Sequence, residues 1–315
     1  MTIALGAQAP LSQHVHAMVG ESEPMRRLKA LIETVAPTRL PVLIYGPTGS
    51  GKELVASAIH ALSRRRGAFV PFNVCAISET MFEDALFGHV RGAFTGAMND
   101  VPGFLREADG GTVFLDEVSG LPPVLQAKLL RAIETGVFRP VGAKRDVQSD
   151  FRVVAATNES LEGLVGQGRF RADFAHRIGA VTVSVPTLAE RREDIPLLVR
   201  HFLAGIGSGH VKVADAAIDV LAEHHWPGNV RELKHVVEWS AAFSNGHLSA
   251  DTLRAAVAQR TSVSPYGIGA DALERNELRA ILERLNWNAD LVAEQLGVHR
   301  STLYRRMRRL GLMSS

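Results

Sequence analysis

Gly46-Pro47-Thr48-Gly49-Ser50-Gly51-Lys52 follows a short apolar run at residues 41–45 and opens a helical pattern at residues 52–63. A glycine-rich loop between a strand and a helix lets backbone N–H groups turn inward around phosphates. The N-terminus of the helix adds positive potential at the same place. The stretch therefore predicts a nucleotide site in which Lys52 reaches the β- and γ-phosphates.

Four further short runs, rich in β-branched residues or bounded by turn residues, have the pattern of buried strands. They lie at residues 69–73, 112–116, 152–157 and 181–185. Helical patterns, such as the one at residues 124–135, separate most of them, which predicts an α/β fold with a parallel sheet and helices on both faces. Ligands of such sheets bind at the C-terminal strand ends. The side chains that fall there are Tyr45, Asn73, Asp116 and Asn158.

After Pro186 the pattern becomes helical without strands, which predicts a small helical lid on the sheet domain. Residues 260–270 mix Ser, Pro and Gly, a composition typical of a linker, and a last helical unit follows. The expected organisation is a tail (1–16), an α/β subdomain (17–188), a lid (189–259), the linker (260–270) and a C-terminal all-α domain (271–315).

The composition is that of a soluble globular protein, with 46% hydrophobic and 22% charged residues in a chain of 315. Its apolar runs are shorter than the roughly 18 residues of a membrane span, which predicts a cytoplasmic protein. The single cysteine, Cys75, excludes an internal disulfide. Because Cys75 lies in an apolar run, we expect it to be a core residue and not a nucleophile.

A second motif, which is acidic, supports the prediction of a nucleotide site. Val113-Phe114-Leu115-Asp116-Glu117 is an apolar run that ends in two carboxylates and has the form of a Walker B motif. We expect Asp116 to hold Mg²⁺ through water and Glu117 to polarise the water that attacks ATP. The alternative is that both are solvated surface acids.

Between these two motifs lies Gly92-Ala93-Phe94-Thr95-Gly96-Ala97, preceded by Leu86-Phe87-Gly88-His89-Val90-Arg91. A loop this small and apolar is unsuited to catalysis, and the alternatives are a contact for another molecule or an ordinary Gly/Ala loop. The block resembles the signature of the bacterial sigma-54-dependent transcription activators, enhancer-binding proteins of the AAA+ class, and the resemblance extends from about Met18 to Leu312. It implies a surface loop, residues 92–97, whose Phe94 and Thr95 touch sigma-54. We call residues 92–97 the handle loop.

The resemblance also implies roles around the nucleotide. Glu53 stands where general P-loops have Ser or Thr, as it does in this family, and Pro47 replaces a usual acid. Asn73 matches the switch residue that pairs with the catalytic Glu, Asn158 matches sensor I, and Arg231 matches sensor II. The implied nucleotide-binding residues are Gly46, Pro47, Thr48, Gly49, Ser50, Gly51, Lys52, Glu53, Asn158 and Arg231.

Two arginines, Arg171 and Arg177, resemble the arginine fingers that reach the ATP of a neighbouring subunit; surface salt bridges are the alternative. Residues 138–142 resemble a pre-sensor loop that moves with the handle loop. The chain departs from the family at Arg106, where Glu is common.

The C-terminal unit has a DNA-binding pattern. Ala293 and Gly297 have helix-turn-helix spacing, residues 297–313 hold five arginines and no acid, and Leu303, Met307 and Leu310 are expected to face the core. The unit resembles the Fis-type domain that closes most of these activators. The residues expected to face DNA are Arg300, Ser301, Thr302, Arg305 and Arg308. A three-helix scaffold with a solvated face is the alternative.

These features predict an ATPase that uses ATP and Mg²⁺ and binds upstream double-stranded DNA as a dimer. We expect it to assemble into a ring, and the resemblance implies that the ring is a hexamer. Its implied partner is the sigma-54 RNA polymerase holoenzyme, at the nucleoid. The rivals are a DNA-binding regulator whose AAA+ core is a scaffold independent of sigma-54, and an AAA+ unfoldase or helicase. Only about 17 residues precede the family's central domain, so we expect no receiver domain. Control is then expected from a separate protein, from a limited concentration of the chain or from a partner subunit.

Overall fold

The structure is a computed structural model that describes residues 18–208, 210–244 and 246–261 and single positions between 278 and 312. The described residues fall into two compact units, divided between Ala250 and Asp251. Within the described residues, no helix combines the length and the apolar character that crossing a bilayer requires.

The strands of the first unit, in chain order, are β1 (Val42–Tyr45), β2 (Phe69–Asn73), β3 (Gly88–His89), β4 (Val101–Pro102), β5 (Thr112–Asp116), β6 (Val137–Phe138), β7 (Val147–Gln148), β8 (Arg152–Thr157), β9 (Val181–Ser184), β10 (Lys212–Val213) and β11 (His247–Leu248).

The helices are α1 (Glu23–Val35), α2 (Lys52–Leu62), α3 (Glu79–Phe87), α4 (Phe104–Glu107), α5 (Pro123–Thr135), α6 (Leu161–Gly166), α7 (Ala172–Ile178), α8 (Ile195–Gly205), α9 (Asp215–Glu223), α10 (Asn229–Phe243) and α11 (Ala250–Thr261). Short 3-10 helices span Val74–Ala76, Val118–Gly120 and Leu188–Asp194.

A five-stranded parallel sheet in the order β2-β5-β8-β1-β9 forms the centre of the first unit. The predicted α/β fold with a parallel sheet is therefore confirmed, and each of the five predicted strands begins and ends within one residue of its expected bounds. Tyr45 pairs with Thr157, and Asn73 pairs with Asp116, in the register of the sheet. The strand ends that were expected to hold a ligand thus lie at one edge.

Side chains alternate between two cores, one on each face of this sheet. Along β5, Val113 and Leu115 belong to the core that contains Leu86, whereas Phe114 belongs to the core that contains Ile59. This alternation follows from the two-residue period of a strand. Every residue of β8 is buried, as a central parallel strand covered on both faces requires.

Helices α8, α9 and α10 form the lid, in which Trp226 is almost completely buried and donates its Nε1–H to the Leu221 carbonyl at 2.7 Å. The expectation of a lid without strands was wrong, because β10 and β11 form a short parallel pair. A two-residue pairing has no periodicity by which a sequence pattern could reveal it.

The second unit has a small apolar core of its own, formed by Leu278, Leu282, Val292 and Met307. The burial of Met307 confirms its predicted position in a core, while Leu303 and Leu310 lie outside the described residues.

Candidate functional site

The loop at residues 46–52, the P-loop, joins β1 to α2 and has the backbone that only glycine adopts readily. Gly49 and Gly51 have φ angles of +77° and +107°. A Cβ atom on Gly49 would lie 2.3 Å from the carbonyl oxygen of Gly228, which belongs to the lid. The loop is therefore closely packed against the lid, and any larger residue at position 49 would separate the two.

Lys52 is the first residue of α2, and its ammonium group lies inside the loop. Its Nζ donates to the carbonyls of Gly46 at 3.0 Å and Pro47 at 3.2 Å. Burial lowers the pKa of Lys52, while Asp116 and Glu117 act in the opposite direction. The two motifs predicted from sequence, separated by 64 positions between Lys52 and Asp116, thus meet in space.

The acidic motif lies at the end of β5. Burial raises the pKa of Asp116, although the nearby Lys52 partly opposes that rise. The Glu117 N–H donates to Asp116 Oδ1 at 3.0 Å, and Glu117 has a φ of +55°, in the left-handed region that non-glycine residues seldom occupy. Glu53 lies exposed in the first turn of α2 and also raises the pKa of Asp116.

Asn73 lies beside Asp116 on the neighbouring strand, but its side chain accepts a hydrogen bond from the Cys75 N–H at 2.8 Å. It thereby caps the 3-10 helix Val74–Ala76.

The expectation that Cys75 is a core residue was wrong, because this turn buries Val74 and leaves Cys75 exposed. Local desolvation, together with hydrogen bonding to Glu117, raises the pKa of Cys75 to about 11, so its thiol is protonated at neutral pH.

The two sensor residues both contact the P-loop. Asn158, one residue beyond β8, donates its Nδ2–H to the hydroxyl of Thr48 at 3.3 Å. The backbone N–H of Arg231, in the first turn of α10, donates to the Gly49 carbonyl at 3.2 Å. Its guanidinium is close enough to Lys52 to lower the pKa of that group.

Two lid residues that sequence reasoning missed also bind the P-loop. Asn229 Nδ2 donates to the Thr48 carbonyl at 3.1 Å, and Arg191 Nη2 donates to the Ser50 carbonyl at 3.1 Å. Both side chains are at least 96% buried. The motif containing Arg231 was recognised, so the adjacent Asn229 could have been suspected from the same stretch. Nothing in the local pattern distinguishes Arg191 from its neighbour Arg192.

An apolar pocket of about 80 Å³ lies beside the P-loop, between α1, α2 and the lid. Its lining includes Met18, Leu54, Leu198, His201 and Phe202. Two buried polar atoms of the lining residues Ser50 and Arg191, the Oγ and the Nε, have no hydrogen-bond partner among the described residues. The pocket therefore offers a flat apolar ring a place next to the phosphate-binding loop, with polar atoms at its margin.

Both predicted arginine fingers are exposed on or next to α7. Arg171 forms a two-pronged ion pair with Asp173, with contacts of 3.0 and 2.7 Å, which raises the pKa of Arg171. Arg177 donates to the Ile133 carbonyl at 3.4 Å. None of these bonding partners belongs to the P-loop of the same chain.

The handle loop follows α3 and is a set of tight turns. Gly92 and Gly96 have φ angles of +80° and +101°, and a Cβ on either would meet no atom within 4 Å. The Gly92 N–H donates to the Ala97 carbonyl at 2.9 Å and closes the loop. Phe94 is 47% exposed, with its ring 4.9 Å from that of His89. The loop thus holds a large apolar side chain in solvent.

Residues 138–142, the expected pre-sensor loop, lie directly beside the handle loop. The Val90 N–H donates to Val141 O at 3.1 Å, and the Val141 N–H donates to Gly88 O at 2.8 Å. Arg106, the departure from the family pattern, is an exposed residue of α4. The residues predicted to face DNA, Arg300, Ser301, Thr302, Arg305 and Arg308, lie outside the described residues.

Three family models match this chain in succession. The sigma-54 interaction domain covers residues 18–184, which is more than half of the chain. The chain belongs to the sigma-54 activator family. An AAA+ ATPase lid domain matches residues 189–266, and the Fis family of bacterial regulatory proteins matches residues 270–310. The predicted AAA+ ATPase with a Fis-type helix-turn-helix domain is thus confirmed as the family of this chain.

Relatives span the same three regions. UacR of Escherichia coli (strain K12) is 37% identical over 98% of this chain and 56% of its own length. The transcriptional regulatory protein ZraR of the same strain is 40% identical over 98% of this chain and 72% of its own. The chain therefore spans only about half the length of UacR.

Among solved structures, NtrX from Brucella abortus in complex with ADP superposes with a TM-score of 0.70 and 38% identity, over 93% of this chain and 69% of NtrX. NtrX in complex with ATP gives a TM-score of 0.70 and 37% identity, over 96% of this chain and 72% of NtrX.

Proposed function

We propose that this chain is a sigma-54-dependent transcription activator that binds upstream DNA and hydrolyses ATP within a ring oligomer. The energy of hydrolysis moves the handle loop, which remodels the closed complex of the sigma-54 RNA polymerase so that promoter DNA melts. The proposal combines family membership with two features of one subdomain, a nucleotide site and an exposed loop that has no catalytic side chain.

The P-loop fits the phosphates of ATP. The positive φ angles of Gly49 and Gly51 allow the backbone N–H groups of the loop to converge, and Lys52 supplies a cation that already lies within the loop. The apolar pocket lined by Met18 and Phe202 lies next to this loop and suits the adenine ring. NtrX, a relative of known structure, was solved in complex with ADP and with ATP.

The carboxylates at the end of β5 fit a divalent cation and a catalytic base. Mg²⁺, when bound with ATP, neutralises the charge that develops on the phosphates. Asp116 is the residue that would hold that ion, since its carboxylate lies close to Lys52 of the P-loop. Glu117 polarises the attacking water from the next position of the chain. Asn73 pairs with Glu117 and acts as the switch residue. Asn158 detects whether the γ-phosphate is present. Arg231 couples the angle of the lid to the bound nucleotide.

Arg171 and Arg177 act on the ATP of a neighbouring subunit. Both are exposed, and their hydrogen bonds within this chain lead to Asp173, Gln126 and Ile133, away from its own P-loop. A guanidinium group can form two hydrogen bonds to phosphate oxygens and stabilise the charge of the transition state. Because the next subunit completes each site, the active assembly is a ring. The family relationship indicates that this ring is a hexamer.

The exposed Phe94 of the handle loop is the observation that carries the proposal. A loop that exposes an aromatic ring has the character of a protein-contact site, since such rings supply much of the energy of an interface. The contacted protein is sigma-54, in agreement with the family model that covers the loop. The Fis-type region at residues 270–310 brings the ring to upstream DNA, with Arg300, Arg305 and Arg308 among its contacts.

The proposal is tested by permanganate footprinting of a sigma-54 promoter mixed with the purified chain, holoenzyme and ATP. We expect reactive, melted thymines near the start site only when ATP is hydrolysable. The same promoter without sigma-54 and a sigma-70 promoter serve as controls. An active ATPase that never melts the sigma-54 promoter would favour the rival, a regulator with an AAA+ scaffold that works without sigma-54.

A further inference from the structure

Three consecutive carbonyl groups of the P-loop accept hydrogen bonds from the lid. The carbonyl of Thr48 is bound by Asn229 Nδ2 at 3.1 Å, that of Gly49 by the backbone N–H of Arg231 at 3.2 Å, and that of Ser50 by Arg191 Nη2 at 3.1 Å. The donors come from two separate segments, the 3-10 helix before α8 and the first turn of α10.

These bonds determine where the amide groups of the P-loop point. A peptide unit is planar and trans, so its C=O and the N–H of the following residue point in opposite directions. Carbonyls that are held toward the lid therefore turn the N–H groups of Gly49, Ser50 and Gly51 away from the lid. The Ser50 N–H donates to the Pro47 carbonyl at 3.3 Å. The N–H groups of Gly49 and Gly51 are directed away from the lid, as the phosphate nest of a P-loop requires.

The rest of the loop is held from other directions. Lys52 Nζ binds the carbonyls of Gly46 and Pro47, and the Val55 N–H binds the carbonyl of Gly51 at 3.2 Å. Every carbonyl from Gly46 to Gly51 thus has a donor, and the lid supplies the donors for those of Thr48, Gly49 and Ser50. Withdrawal of the lid would therefore exchange three fixed donors for water, which does not hold the peptide groups in one orientation.

Asn229 is held so that its amide can serve the P-loop. Its Oδ1 accepts the Leu188 N–H at 2.9 Å, which fixes the orientation of the amide and leaves Nδ2 facing Thr48. It has a φ of +52°, which Asn tolerates better than most residues. The side chain of Arg191 is also held in place, because its Nη1 donates to the sulfur of Met25 at 2.8 Å.

We propose that Asn229 and Arg191 are positioning residues for phosphate binding, which act through the carbonyls of Thr48 and Ser50 and make the lid a structural part of the phosphate nest. This inference rests on the proposed function of the P-loop as a nucleotide site. It follows that a rotation of the lid reorients the amides that hold the β-phosphate. The angle of the lid and the affinity for phosphate are then coupled, so a change in one changes the other.

Asn229→Asp tests this directly, because it keeps the acceptor for Leu188 and replaces only the donor that faces Thr48. Binding is measured by competition of a fluorescent ADP analogue with ADP, ATP and AMP on the full chain. We expect about tenfold weaker binding of ADP and ATP, since an oxygen now faces the Thr48 carbonyl. AMP, whose single phosphate does not reach the nest, should compete within about twofold of its effect on the parent.

Two variants control for a loss of folding. Asn229→Gly removes both side-chain bonds yet adopts the positive φ freely, so it should weaken ADP binding as well. Gln126→Glu makes the same amide-to-carboxylate change at a completely buried site away from the P-loop. There Nε2 donates to the carbonyls of Leu121 and Arg169, and the variant keeps an oxygen that can accept the Arg171 N–H as Oε1 does. We expect this control to lower the melting temperature without changing ADP affinity.

Parental affinity of Asn229→Asp for ADP would overturn the inference, and so would an equal loss of affinity for AMP and ADP. If the parent chain itself bound no ADP, the proposed nucleotide site would be wrong, which is a separate and recognisable outcome.

Discussion

Gly142 and Ala93 are in contact: a Cβ atom added to Gly142 would lie 2.7 Å from the Cβ of Ala93. The pre-sensor loop and the handle loop therefore have no free space between them. Gly142 also has a φ of +74°, which disfavours any side chain. A displacement of either loop must therefore displace the other.

Gly142→Ala should therefore displace the handle loop while leaving the nucleotide site intact. We expect ATPase activity within about threefold of the parent, together with loss of promoter melting. Gly168→Ala is the matched control, because Gly168 has a similar φ of +68° but open space around its Cβ position. Parental promoter melting by Gly142→Ala would contradict the mechanical coupling of the two loops.

Changes within the ATP site should separate binding from hydrolysis. Lys52→Ala removes the cation of the P-loop and should abolish nucleotide binding, whereas Glu117→Gln should retain ATP and hydrolyse it about 10²–10³-fold more slowly. Filter binding and phosphate release measure the two steps. Hydrolysis by Glu117→Gln at the parental rate would show that another group activates the water.

The fold was predictable because its strands are short, buried apolar runs with polar residues at one end. The chemistry of the loops was harder to predict. Cys75 was misplaced because a single 3-10 turn interrupts an apolar run and reverses which side chains are buried. Arg191 was missed because its P-loop partner lies 141 positions away, a separation that no local pattern encodes. Asn229 binds the P-loop across 181 positions, and only its place in the stretch that contains Arg231 pointed to it.

Arginine fingers that act between subunits can be tested by mixing two inactive variants. Lys52→Ala retains its arginines and Arg171→Ala retains its P-loop, so a mixed ring should contain some complete sites. We expect partial recovery of ATPase activity that rises and falls with the mixing ratio. A mixed assembly, verified by mass spectrometry, that stays inactive at every ratio would place Arg171 in its own subunit's site.

Truncation after Ser264 should separate DNA binding from the motor. The shortened chain lacks the region that matches the Fis family at residues 270–310, so it should lose site-specific footprints and keep ATPase activity. In the full chain, binding should weaken steeply as salt rises, because contacts with phosphates release counterions. Footprints that survive the truncation would locate the DNA-binding surface elsewhere.

The most direct test of the handle loop is to measure ATP hydrolysis and promoter melting in the same reaction for Phe94→Ala and Thr95→Ala. Met81→Ala, which also removes an exposed apolar side chain but from α3, is the control. We expect both handle-loop variants to hydrolyse ATP within about threefold of the parent and to melt no sigma-54 promoter, while the control does both. Parental melting by both handle-loop variants would contradict the assignment of the loop as the contact for sigma-54.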